Sequence, residues 1–470
     1  MNIIQRGGAK LVFGLGKTGI AVIEFLQAHN IIFRVADSRE KHLIDYFNTH
    51  NNQVNGVFGV ELAALLEDKA EIAQLLNSVD ELILSPGIPP THALVIAAQS
   101  AGIPIINDIT LFVRYVRSHA PQVKLVGITG SNGKSTVTYG LQLMGQALGI
   151  ATRAVGNIGV PVLDVISQLD QLEVIALELS SFQLEINTDL GLDIAVLLNI
   201  SSDHVDRHGN LINYWHAKQR IFEQVKACVI NRDAALSTPN TQGQSIQAVV
   251  RFGLASPDKN DFGIMQRNDG QYIAHGINIL MRKDQLALPG EHNCANALAL
   301  LSLAQLLGWS IAQACEFLKT YSGLPHRFQL VPTNDDIIWI NDSKATNVGA
   351  ALAALQSMRT SMANKPLYWI GGGQGKGADF TPLVQELSVQ FNSHHLLQAV
   401  VYGEDRQALY TDLNKAGVLV STVNTLNDAM ELIFQHVIAG QAVLFSPACA
   451  SLDQFKNFEH RGQVFMDKCP

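Results

Sequence analysis

The sequence predicts an α/β fold arranged as three domains on mostly parallel sheets. Three observations carry that reading. The chain has 470 residues, more than one ordinary hydrophobic core organises. Short apolar runs alternate with helical patterns along its whole length, the mark of α/β layering. Two of those strand-to-helix junctions are Gly-rich turns, at Gly14–Gly19 and Gly130–Gly133.

In the first block, Lys10 to Phe13 reads as a strand, and Gly14-Leu-Gly-Lys-Thr-Gly19 turns into a helix through Leu26. A second strand, Ile31 to Ala36, ends at Asp37. This is a βαβ unit with the dinucleotide fingerprint, its acidic residue about 20 positions on. A strand at Glu81 to Leu84 stops at Ser85-Pro-Gly87, followed by a helix near 92–101, a strand at Ile103 to Ile106 and a helix near 108–117. The domain is therefore Rossmann-like. His119-Ala-Pro121 reads as a linker.

The second block holds the most informative stretch. Lys124 to Val126 is β-like, Thr129-Gly-Ser-Asn-Gly133 turns, and Lys134-Ser-Thr136 opens a helix. That is the build of a P-loop, with backbone N–H groups and the helix N-terminus facing phosphate, Lys134 reaching the β/γ-phosphates and Ser135 a Mg²⁺ ion. Ile128 stands where the usual pattern has its first glycine. Continuous apolar runs at 173–177, 194–198 and 227–230 suit strands buried on both faces of a parallel sheet. Residues 245–288 read as a small β-rich insertion, and an Ala/Leu-rich helix follows from about 294 to 307. The centre is thus a P-loop ATPase-like parallel sheet. After Gly323-Leu-Pro325, strands at 337–340, 367–370, 398–402 and 442–445 alternate with helices. This gives a third, Rossmann-like α/β domain.

Composition narrows the function. The chain is 47% hydrophobic and 16% charged, with net charge −8. No Lys/Arg run marks a nucleic-acid or anionic-lipid surface. Five scattered cysteines without CxxC pairs argue against a disulfide framework or zinc site. No apolar run reaches the roughly 18 residues of a membrane helix and no signal core opens the chain, so the expectation is a cytoplasmic protein.

Candidate chemistry lies at strand ends. Glu178 closes the 173–177 strand and can hold Mg²⁺ beside the P-loop, or be a solvated loop residue. Asp203, His204, Asp206 and His208 follow the next strand, so a cation cluster is conceivable, though spacing does not say which residue binds. Lys218, on a helix from Tyr214 to Phe222, reads as a surface lysine. Asn293 and Asn296 share a helix face; helix capping is the commoner explanation, base recognition the other. Arg327 sits at an inter-domain hinge, where a guanidinium can clamp phosphate. Asp342 and Lys344 follow the 337–340 strand. Gly371-Gly-Gly-Gln-Gly-Lys376 follows the next and is an anion-nest candidate. Each of these loops is also readable as a plain turn.

Together these stretches resemble a known family. Thr129–Thr136, Glu178-Leu-Ser-Ser-Phe-Gln183, Asp203-His-Val-Asp-Arg207, Gly323-Leu-Pro-His-Arg-Phe328, Asn341-Asp-Ser-Lys-Ala-Thr-Asn347 and Ser446-Pro-Ala-Cys-Ala-Ser-Leu-Asp-Gln-Phe455 are similar, in order, to the motifs of the Mur ligases. The resemblance runs nearly end to end. It implies three domains: 1–113 for the UDP moiety, 114–323 for ATP, and 324–470 for the incoming amino acid. It implies ATP-dependent addition of D-glutamate to UDP-N-acetylmuramoyl-L-alanine through an acyl phosphate, with two Mg²⁺ ions. It places Gly14, Lys17, Thr18, Asp37, Ser38, Arg39, Gly87, Asn157 and His204 on the UDP substrate. Gly130, Ser131, Asn132, Gly133, Lys134, Ser135, Thr136, Asn293, Asn296, Arg327, Asp342 and Lys344 would serve ATP. Thr346, Lys376, Ser451, Leu452 and Phe458 would hold D-glutamate. Ser135, Glu178, His204 and Lys218, the last as a carbamate, would bind metal; Lys134, Glu178, His204 and Lys218 would be catalytic. The implied partners are small molecules, neither nucleic acid nor membrane, and nothing demands an oligomer. The rival readings are a sister ligase, one adding glutamate to folate, and an NAD-dependent oxidoreductase built on Gly14–Gly19.

Overall fold

The computed structural model of the chain describes residues 9–39, 56–186, 190–201, 203–240, 246–362 and 364–470, the side chains of 205, 206, 360 and 361 excepted. Three sheets organise these residues. The first contains β1 (Ala9–Phe13), β2 (Phe33–Asp37), β3 (Gly56–Phe58), β4 (Val79–Leu84) and β5 (Ile105–Ile106). Its order is β3-β2-β1-β4-β5, all parallel. That is a doubly wound arrangement, and its ligands belong at the carboxyl ends of the strands.

The central sheet contains β6 (Lys124–Thr129), β7 (Thr152–Gly156), β8 (Val174–Glu178), β9 (Ile194–Leu197), β10 (Ala227–Asn231), β11 (Ala248–Phe252), β12 (Phe262–Arg267), β13 (Gly270–His275) and β14 (Asn278–Arg282). Their order is β14-β13-β12-β11-β10-β9-β6-β8-β7. Strands β6 to β11 pair in parallel, and β8 and β9 are buried throughout, as their continuous apolar runs require. The expected β-rich insertion is real, but it continues this sheet rather than standing apart. Its antiparallel strands β12 to β14 join β11 through one residue pair, Phe252 with Phe262.

The P-loop helix, Lys134–Ala147, carries Gly145 in its interior. A Cβ there would lie 2.1 Å from Thr152 Oγ1, so close approach to β7 outweighs helix propensity. The third sheet contains β15 (Gln329–Val331), β16 (Ile338–Asn341), β17 (Leu367–Gly372), β18 (Leu396–Tyr402), β19 (Val420–Thr422) and β20 (Ala442–Ala448). Its order is β15-β16-β20-β17-β18-β19, parallel except at β15. The short edge strands β15 and β19 carry too few residues to stand out in sequence.

The expected boundary at 113/114 lies within a continuous helix, Asp108–His119, and the first turn after it is at Ala120–Val123. That helix ties two domains together. Arg114 pairs with Glu81 of the first sheet at 2.6 Å, and Arg117 with Asp193 of the second at 2.9 Å. One apolar core runs through both, from Val12, Ile83 and Phe112 to Leu125, Ile175 and Ala195.

Glu81 also holds Lys10, at 2.9 Å, both side chains being almost wholly buried. Removing the carboxylate strands an ammonium in the core, which costs more than the pair contributes. Glu81→Ala should therefore lower unfolding free energy by about 3–5 kcal/mol in denaturant titration, and Lys10→Met in that background should recover most of the loss.

Candidate active site

The P-loop leaves the end of β6 between β8 and β9, with Ile128 opposite both Glu178 and Val196. Ile128 is a fully buried strand residue, which is why it replaces the usual glycine. Gly133 caps the helix at φ +82°, and a Cβ there would meet Asn296 Oδ1 at 2.5 Å; only glycine fits. The loop is clamped from β9. Asn199 accepts from Asn132 N at 2.8 Å and donates to Asn132 O at 3.0 Å. Ser131 Oγ donates to Ser201 O, accepts from Ser201 N and meets the Tyr214 hydroxyl at 3.1 Å. The Lys134 ammonium stands within the loop, donating to the Gly130 and Ser131 carbonyls at 2.8 and 2.9 Å.

Glu178 is buried, not the solvated loop residue that sequence also allowed. Its Oε1 accepts from Asn157 Nδ2 at 3.1 Å, while its Oε2 is buried without a partner. A carboxylate oxygen left open in this way beside a phosphate loop suits a divalent cation. Lys218 is the plainest correction: it is fully buried, its Nζ 3.2 Å from Thr129 Oγ1 and 4.8 Å from the Tyr214 ring centre. Burial, then the neighbouring Lys134, hold its pKa well below that of an ordinary lysine. Burial lowers Lys134 too, against the pull of Glu178 and Asp203.

A cleft of about 800 Å³ opens beside the P-loop. Asn132, Gly133, Thr136, Asn293, Asn296, Arg327, Asp342 and Lys344 line it, all expected of an ATP site. The two asparagines do not cap: Gly290 is the N-cap residue of helix Glu291–Leu307. Asn293 Nδ2 donates to Pro289 O and Asn296 Nδ2 to Asn293 Oδ1. Arg327 reaches across from the third domain to Ser135 Oγ at 2.6 Å. Asp342 accepts from Phe328 N at 3.0 Å and Ser446 Oγ at 2.7 Å, and burial raises its pKa to about 7. Lys344 lies over the Phe458 ring at 3.7 Å. Asn231, Phe252 and His292 also line the cleft; nothing local in the sequence marked them.

A second cleft, of about 980 Å³, lies at the carboxyl ends of the first sheet. It collects Gly14, Lys17, Thr18, Asp37, Ser38, Arg39, Gly87 and Asn157, as expected, together with Ser85, Ile88 and Gln183. Asp37 accepts from Leu15 N and from Arg39 N, Nε and Nη2. Burial alone would raise its pKa, but Arg39 and Leu15 outweigh it and the net shift is downward. Both carboxylate oxygens are thus engaged, which leaves Asp37 poorly placed to take the ribose diol of NAD.

The remaining residues are less gathered. His204 is half exposed at φ +50°, lines neither cleft and lies 3.8 Å from Asp203 Oδ2. His208 is turned inward to Ser181 Oγ at 3.0 Å, so it leaves the expected cation cluster; the Asp206 side chain lies outside the described residues. Among the described residues, no three His, Cys, Asp or Glu groups form a metal-holding cluster. Thr346, Lys376, Ser451, Leu452 and Phe458 follow the carboxyl ends of the adjacent strands β16, β20 and β17. The Lys376 and Ser451 loops are tied by reciprocal bonds between Gln374 and Ala450, both 2.9 Å. Lys376 and Leu452 are exposed and Ser451 is buried. Neither cleft includes this group.

The comparisons with known proteins agree with that geometry. Residues 8–107 match the model of a Mur ligase MurD-like N-terminal domain, 128–304 the Mur ligase middle domain, and 326–449 the Mur ligase glutamate ligase domain. The chain is 38% identical to the UDP-N-acetylmuramoylalanine–D-glutamate ligase of Acinetobacter baylyi, over 99% of this chain and 98% of that one. This chain belongs to the Mur ligase family. It is accordingly an ATP-dependent amide-bond-forming ligase. The enzyme of the same name from Chromohalobacter salexigens is 39% identical, over 97% of this chain and 95% of the relative. Among solved structures, the UDP-N-acetylmuramate–alanine ligase of Thermotoga maritima superposes with a TM-score of 0.58 at 18% identity, covering 98% of both chains. That likeness speaks for the three-domain fold of this Mur ligase.

Burial lowers the Lys344 pKa to about 8, so the amine is charged below that pH and neutral above it. Affinity for ATP, measured by fluorescence or calorimetry, should fall as pH rises through about 8, and Lys344→Arg should remove that dependence.

Proposed function

We propose that this Mur ligase joins D-glutamate to UDP-N-acetylmuramoyl-L-alanine, with ATP converted to ADP and phosphate, in the cytoplasmic synthesis of peptidoglycan precursors. The identity of 38% across almost the full chain to enzymes of that name supports the reading. One observation of the structure carries it. Asn157, in the wall of the N-terminal cleft, is hydrogen-bonded to Glu178, the carboxylate beside the P-loop. That hydrogen bond links the wall of the N-terminal cleft to the strand end beside the P-loop, which is where a sugar-nucleotide carboxylate would have to approach the γ-phosphate.

The chemistry follows from that approach. A carboxylate and an ammonium do not condense unaided in water. The substrate's alanyl carboxylate attacks the γ-phosphorus, ADP departs, and an acyl phosphate forms. The D-glutamate amine attacks the acyl carbon, loses a proton, and the tetrahedral adduct expels phosphate. Lys134 and the P-loop N–H groups hold the phosphates, Arg327 closes over them from the third domain, and Asn293, Asn296, Asp342 and Lys344 fix the rest of ATP. The UDP moiety rests in the cleft of Gly14, Asp37 and Arg39. Lys376, Thr346, Ser451, Leu452 and Phe458 receive D-glutamate, with Lys376 facing a substrate carboxylate. Ser135, Glu178, His204 and Lys218 as a carbamate are assigned to two Mg²⁺ ions, which when bound neutralise phosphate charge. The open Glu178 Oε2 and a Lys218 amine whose pKa burial holds well below that of an ordinary lysine suit that assignment. The protein is read as a monomer with no nucleic-acid partner. Among the described residues no helix is long and apolar enough to cross a membrane.

Phosphate release with UDP-N-acetylmuramoyl-L-alanine should require D-glutamate; release with L-lysine, diaminopimelate or L-glutamate but not D-glutamate would refute the assignment. Lys218→Ala should nearly abolish turnover while leaving the thermal unfolding profile close to that of the wild type, and near wild-type turnover would remove the carbamate.

A further inference from the structure

Thr129, the last residue of β6, has no part in the scheme above, yet it touches the most unusual lysine in the molecule. Its side chain is wholly buried. Its hydroxyl donates to the Leu179 carbonyl at 2.6 Å, a short bond that uses its one hydrogen. Towards Lys218 Nζ, at 3.2 Å, Thr129 Oγ1 can therefore only accept. The other near neighbour of that nitrogen is the face of Tyr214, whose hydroxyl is fastened to Ser131.

Carbamylation changes what Lys218 offers. The neutral Nζ attacks the carbon of CO₂, one C–O π pair moves to oxygen, and a proton leaves to water. The product, a planar –NH–COO⁻ group, keeps one N–H. With a planar nitrogen, holding that hydrogen also sets the direction of the carboxylate, which points away from the holder.

We propose that Thr129 is a positioning residue for Lys218: its Oγ1 accepts the one N–H left after carbamylation and so aims the carbamate carboxylate away from β6. The inference rests on the carbamylated Lys218 assigned above. It gives the threonine a role beyond tying β6 to the residue after β8. The Leu179 carbonyl keeps the hydroxyl hydrogen from competing, so the oxygen stays an acceptor whatever state the lysine is in.

The test follows carbamate occupancy rather than turnover. The protein is titrated with ¹³C-labelled bicarbonate and the carbamate carbon is observed by NMR, with Lys218→Ala identifying the signal. Loss of one buried hydrogen bond should raise the bicarbonate needed for half occupancy about tenfold in Thr129→Val and Thr129→Ala, while Thr129→Ser titrates like the wild type. Alanine removes the hydroxyl without adding bulk, so it decides the matter if the valine variant does not fold; binding of a fluorescent ATP analogue checks the fold. Wild-type midpoints in the valine or alanine protein, or a serine variant shifted like them, would overturn the role of Thr129 and leave the carbamate standing. A wild-type protein without a Lys218-dependent signal would overturn both.

Discussion

Strands β8, β6 and β9 are neighbours, run in one direction and stop at the same level, with Glu178 beside Ile128 and Leu197 beside Thr129. Parallel pairing allows no local hairpin between them, so each must be followed by a crossover or loop that starts at the same rim. The P-loop, the Glu178 carboxylate and the Asn199–Ser201 segment are the starts of those three connections. Their meeting is a property of the sheet, and the side-chain clamps between Asn199 and Asn132, and between Ser131 and Ser201, refine it.

Around that rim the protein gathers basic side chains. Lys134, Lys218, Arg327 and Lys344 are all held below their ordinary pKa values by desolvation, with Glu178 as a shared nearby anion. Holding Lys134, Arg327 and Lys344 charged in so desolvated a place is costly, and they stand here in a chain whose net charge is −8. A polyphosphate supplies the missing counter-charge, so the site is destabilised alone and stabilised when filled. Part of this charge comes from the third domain, through Arg327 and Lys344, so filling the site also favours the closed arrangement of domains.

Much of this was legible in the chain. Parallel strands buried on both faces announce themselves as unbroken apolar runs, which is why β8, β9 and β10 were found within a residue or two. The Gly-rich turns declared their helices because a positive φ at Gly133 restricts the residue type. Lys218 was not legible from its surroundings: on helix Leu211–Gln219 it looks solvated, yet it is buried and its Nζ meets Thr129, eighty-nine positions away; only the family likeness pointed to it. Asn293 and Asn296 misled for a related reason. Asparagine near a helix start usually caps, but Gly290 already did so, and their amides were left for the cleft. The residues expected to hold D-glutamate follow three strand ends, and their mutual position depends on loop conformation that no local pattern encodes.

Among the described residues, the apolar core that runs from Val12 to Ala195 has no counterpart between the second and third domains. Residues from Phe328 onward build two cores of their own. Their contacts with the central domain include hydrogen bonds of Arg327 with Ser135, Asn347 with Asp203, and His292 with Ser357, and an edge-to-face contact of His292 with Phe328. This asymmetry bears on how such a chain can diversify. Exchanging the first domain for a relative's would require two halves of one packed interior to match side chain by side chain. Exchanging the third disturbs no shared cluster of that kind; half-buried hydrogen bonds and the His292–Phe328 ring contact are what must be re-formed. Recombination within a family built this way is freest at the third domain, so that domain can be transplanted while the first two descend together.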